Sequence, residues 1–101
     1  MATDSAVRSL TNTFSTTVAD TITLLQPWNS VQITNQDGTN ALYFRMDGTT
    51  AVAAADGCSV VPPGQSVVAA TVLNQNQSTG VTTTVISLVG SGGGYTVEGV
   101  N

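Results

Sequence analysis

Apolar and polar residues alternate along most of this chain in short runs. Val31-Gln32-Ile33-Thr34-Asn35 alternates, and so does Ala41 to Met46, where Leu42, Phe44 and Met46 share one face and Tyr43 and Arg45 the other. Thr21-Ile22-Thr23-Leu24-Leu25 repeats the pattern, and Phe14, Thr16 and Val18 alternate with Ser15 and Thr17. Successive side chains of a strand point to opposite faces, so a period of two marks half-buried strands. Cys58 to Val61, Gln65 to Leu73, Val81 to Leu88 and Tyr95 to Glu98 are further strands, rich in β-branched or aromatic residues. Ala51 to Ala55 is the one helix-like stretch, and it is too short to nucleate a helix alone. The pattern predicts seven to nine strands and no helix.

The punctuation between these runs sets the topology expected. Asp37-Gly38, Asp47-Gly48 and Asp56-Gly57 arrive roughly ten residues apart. An Asp-Gly pair favours a tight reversal, because Gly reaches positive φ cheaply and Asp bonds nearby backbone. Residues 31–46 therefore read as a hairpin turned at Asp37-Gly38. Pro62-Pro63-Gly64, the polar run Asn74 to Gly80 and Ser91 to Gly94 are further breaks. Turns at this spacing imply an all-β fold, an antiparallel β sandwich or barrel, of which the sandwich is the expectation. Residues 1–13 are small and polar and read as an extended N-terminal arm, either disordered alone or ordered on a neighbour. Residues 14–101 then form a single β-sandwich domain.

Composition narrows the partners. At 101 residues the chain is one small domain, and its 41% hydrophobic content is mostly Val, Ala and Leu. Such a thin core gains from oligomerisation or from docking on a larger surface. Charged residues make up 8%, with no Lys, no His, and Arg8 and Arg45 as the only basic side chains. With a net charge of −4 there is no basic cluster to neutralise phosphates, so nucleic acid is not an expected partner. No apolar run approaches the roughly 18 residues of a membrane-spanning helix, and no membrane partner is expected.

Candidate chemistry is sparse. Without His, the usual Ser/His/Asp and Cys/His nucleophiles are excluded, and zinc is poorly served by one Cys and no His. Cys58 reads as a small hydrophobe, with no basic neighbour in sequence to activate it. Three of the six carboxylates sit in Asp-Gly turns, where a turn role suffices. Calcium held by Asp37, Asp47 and Asp56 is the strongest metal alternative, but their spacing is not that of an EF-hand loop. Ser91-Gly92-Gly93-Gly94 leads into a strand and lacks the Lys of a phosphate-binding loop. Trp28, Tyr43 and Tyr95 either form a sugar-stacking platform or cover the core and strand faces. The expectation is a non-enzymatic protein with no catalytic, cofactor or metal residues. Its candidate interaction residues are Arg8 and Leu10 on the arm, Phe14 at its base, Trp28, Tyr43 and Arg45.

Three stretches carry a family resemblance over roughly residues 20–99. They are Val31-Gln-Ile-Thr-Asn-Gln-Asp-Gly-Thr-Asn-Ala-Leu-Tyr-Phe-Arg-Met-Asp-Gly, the corner Val60-Val-Pro-Pro-Gly, and Val85-Ile-Ser-Leu-Val-Gly followed by Tyr95-Thr-Val-Glu. Together they resemble small virion structural proteins of tailed bacteriophages infecting actinobacteria. The resemblance implies a jelly-roll-like sandwich that decorates the outer surface of the capsid and stabilises it. The implied partners are the major capsid protein and, in a homotrimer, further copies of the chain. The implied location is the virion, assembled in the host cytoplasm. A minor tail or head–tail connector protein is the alternative in the same class, and a carbohydrate-binding module the alternative outside it.

Overall fold

The structure is a computed structural model, and it describes residues 3–14, 18–26, 28–46, 49–53, 57–70 and 83–100. Among these residues there is no helix. The strands are β1 (Thr3–Ala6), β2 (Ser9–Thr13), β3 (Asp20–Leu24), β4 (Ser30–Asn35), β5 (Leu42–Arg45), β6 (Ser59–Val61), β7 (Ser66–Ala70), β8 (Thr84–Val89) and β9 (Gly94–Val100). They form a five-stranded sheet in the order β1-β3-β8-β5-β6 and a four-stranded sheet in the order β2-β9-β4-β7. The β1–β3 pair is parallel, and the other pairs are antiparallel.

Alternation assigns the inner faces as the sequence pattern requires. Ile22, Leu24, Leu42, Phe44, Val61, Ile86 and Leu88 come from one sheet, and Val31, Ile33, Tyr95 and Val97 from the other. They form one buried cluster between the sheets, to which both sheets contribute.

The turns do a different job from the one expected. Among the described strands, seven of the eight successive connections change sheet, and only β5 to β6 stays in one. The hairpin read over 31–46 is therefore a corner, with β4 in one sheet and β5 in the other. Its Gly38 does not take positive φ, whereas Gly57, Gly64 and Gly92 do. The corner is set by Asn35, which is 2% exposed. Its amide N–H donates to the carbonyls of Asn40 at 2.9 Å and Val61 at 3.1 Å. Its side-chain oxygen accepts the Asp37 N–H at 3.0 Å. The Gly64 N–H donates to the Asp37 carbonyl at 2.9 Å, tying this corner to the one at Pro62-Pro63-Gly64.

Two other expectations change in the folded chain. Residues 3–13, read as an arm, lie in both sheets: β1 pairs with β3 and β2 with β9. The reason is a weak alternation, in which Ala6 and Leu10 turn towards the core while Val7 and the polar residues stay outside it. The strand read through Phe14, Thr16 and Val18 falls partly on residues outside those described, and Phe14 itself is buried. The strand pairings β3·β8 and β4·β9 run in step rather than nested, so the two-sheet all-β class is what the structure supports of the jelly-roll-like expectation.

A bond between two side chains crosses the core. The Tyr95 hydroxyl on β9 donates to Asp20 Oδ2 on β3 at 2.8 Å, and both residues are fully buried. Burial, then the Asp20 hydrogen bond and charge, push the Tyr95 phenol well above its ordinary value. A phenol raised on folding stabilises the fold fully below its unfolded value near 10 and loses that contribution as pH climbs towards the folded one. Tyr95→Phe should cost about 1–3 kcal/mol near neutral pH, because Asp20 loses a buried donor. Urea midpoints from about pH 8 to pH 11 should also fall less steeply in the variant than in the parent.

Candidate interaction surface

Two of the residues singled out in the sequence, Arg8 and Trp28, meet at one corner. Val7 and Arg8 carry the chain from β1 to β2, across from one sheet to the other. The Trp28 indole N–H donates to the Val7 carbonyl at 3.0 Å, and its backbone N–H to Thr84 Oγ1 at 2.9 Å. The Thr84 hydroxyl passes its own proton to the Gln26 carbonyl at 2.8 Å. The Leu25 N–H bonds the Ala6 carbonyl and the Gly99 N–H the Arg8 carbonyl, both at 2.8 Å. These bonds fix the corner from three sides.

The Trp28 ring lies directly on the backbone of Gly99, where a Cβ would overlap the indole. Arg8 also lies over the ring, its guanidinium carbon 5.6 Å from the centroid. Arg8 Nε is also 4.0 Å from Glu98 Oε2. Both charged side chains are largely solvated, so this pair orients Arg8 more than it stabilises the fold. Val7 and Leu25 flank the corner at 54% and 50% exposure. The result is an exposed cation held on an aromatic ring beside two solvent-facing aliphatic side chains. Arg and Trp with apolar neighbours are the residue types that carry most binding energy at protein interfaces.

The remaining candidates do not join this corner. Leu10 is half-buried on β2 and packs against the core. Phe14 is a core residue, its ring 4.7 Å from that of Tyr95 and seated against Gly90. Tyr43 lies on the outer face of the five-stranded sheet against a small cluster of Ala19, Ala51 and Val89, with Cys58 beside it. Arg45 is half-buried, and its guanidinium lies against Gly57, where φ is +84° and a Cβ would come within 2.9 Å of Nη2. It borders a shallow cavity of about 80 Å³ with Thr21, Thr49, Thr50, Val85 and Ser87. Trp28 and Tyr95 are buried in the main core while Tyr43 is on an outer face, so the three rings share no platform.

Asp37 is committed to its own turn. It accepts the N–H groups of Thr39 at 2.8 Å and Asn40 at 3.2 Å, which hold its carboxyl below the usual range. Asp47 and Asp56 lie outside the described residues. Sequence reasoning missed Val7, Leu25, Glu98 and Gly99. Gly99, next to the sequence-read strand Tyr95 to Glu98 and inside β9 (Gly94–Val100), was the available signal, since a glycine inside a strand often marks a close approach.

Comparison with protein-family models, with curated proteins and with solved structures finds no match for this chain.

Proposed function

We propose that this chain is a structural protein of a tailed-phage virion that binds the outer surface of the capsid and stabilises it. The observation that carries this reading is the β1–β2 corner, where Arg8 rests on Trp28 between exposed Val7 and Leu25. A surface of that composition suits a protein partner better than a small substrate. The three sequence stretches that resemble small virion proteins support the same reading. A thin-cored domain also gains stability by mass action when it docks on a lattice of sites.

The copy number of the chain relative to the major capsid protein, measured by quantitative mass spectrometry of purified virions, tests this. A large lattice-like ratio is expected. A few copies per particle would move the assignment to the tail or connector, and absence from virions would overturn it. Val7→Asp with Arg8→Glu should weaken capsid binding at least tenfold, about 1.4 kcal/mol, and leave the circular dichroism unchanged. Deleting residues 2–11 is a poorer test, because it removes β1 and most of β2 and so disrupts both sheets.

A further inference from the structure

The outer edge of β7 is built differently from the other three sheet edges. Exposed edges are normally guarded against strand pairing by charge, proline or short length. The edge strand β1 carries Asp4. On β2 the Asn12 side chain takes the Thr13 N–H at 2.9 Å, and Arg8 precedes the strand. The edge strand β6 has three residues and runs into Pro62. The sequence of β7, Ser66-Val67-Val68-Ala69-Ala70, has no charge and no proline. Its central Val68 is 63% exposed.

The hydrogen-bond parity of β7 is fixed by its partner. The Asn35 N–H donates to the Gln65 carbonyl at 2.8 Å, so Gln65, Val67 and Ala69 turn their backbone groups towards β4. Ser66, Val68 and Ala70 therefore turn theirs outward. No described strand pairs with that side.

We propose that β7 pairs antiparallel with β7 of a second copy about a two-fold axis at Val68. In that register Ser66 faces Ala70 of the other copy, Val68 faces Val68, and Ala70 faces Ser66. Each of these residues presents outward N–H and C=O groups, so every pairing is between groups able to bond. The Val68 side chains meet on the exposed face, and no like charges are brought together. The two four-stranded sheets become one continuous eight-stranded sheet. This contact lies on a different edge from the Arg8 corner, so it links copies without occupying the surface assigned to the capsid.

Sedimentation equilibrium of the full chain, with cross-linking of Val68→Cys in a Cys58→Ser background by a short bis-maleimide, tests the pairing. Thr11→Cys on β2 serves as the control edge. A concentration-dependent dimer that links at residue 68 and not at residue 11 is expected. Val68→Lys should raise the dimer dissociation constant at least tenfold, about 1.4 kcal/mol, with the melting temperature of the monomer unchanged. A monomer at millimolar concentration, or a dimer indifferent to Val68→Lys, would overturn the pairing. So would an oligomer that fails to link through residue 68, and that result would leave the capsid reading to be decided by copy number alone.

Discussion

Gly99→Ala should be among the most damaging single substitutions in this protein. The Trp28 ring occupies the space a Cβ would need, and the indole cannot withdraw, because its N–H is bonded to the Val7 carbonyl and its backbone to Thr84. Overpacking of a closed site costs about 1–3 kcal/mol and sometimes more. Here relief would require either the Trp28 bonds to break or β9 to move away from β4 and β2. We expect about 3 kcal/mol, which for a domain of this size lowers the melting temperature by more than about 10 °C. Gly38→Ala is the matched control. Nothing lies within 4 Å of its Cβ position and its φ is not positive, so it should be neutral or slightly stabilising. A small effect at Gly99 would mean that Trp28 does not sit on it.

Asn35→Leu should be comparably costly for a different reason. Leucine fills the space but offers no polar atoms to the Asp37 N–H or to the carbonyls of Asn40 and Val61. A buried backbone group left without a partner costs about 1–3 kcal/mol; the Val61 carbonyl is in a buried bond and the other two bonds are part-buried, so a loss of about 3 kcal/mol is expected. The damage should spread to the second corner. The Gly64 amide bonds the Asp37 carbonyl, and its hydrogen exchange should accelerate before the rest of the sheet opens. If that amide stays protected at the parent level, Asn35 is not what couples the two corners.

The strands were legible in this sequence because their causes are local. Val31, Ile33, Leu42, Phe44, Ile86 and Leu88 alternate with polar residues, and the structure buries them accordingly. The joining of strands was less legible. Asp37-Gly38 carries the same turn chemistry whether it reverses a hairpin or carries the chain to the other sheet. What decides is Asn35, a polar residue at an inward position that bonds Asp37 and Asn40 in the turn that follows it and Val61 at the end of β6 in the other sheet. Residues 3–13 were hidden for another reason. Their pairing relies on backbone bonds to β3 and β9, with little apolar signal beyond Ala6 and Leu10. The interaction corner was half visible, since Arg8 and Trp28 stand out by rarity, but only the fold brings them together. Phe14 stood out equally and belongs to the core.

The pairing of β2 with β9 bears on how the molecule comes together in time. Thr11 and Thr96, which share a hydroxyl bond, are 85 positions apart. Closing so long a loop carries a large entropic cost before any contact repays it, and such topologies fold slowly. During synthesis β2 waits without this partner until β9 has emerged from the ribosome, and among the described strands no pairing spans a wider stretch of sequence.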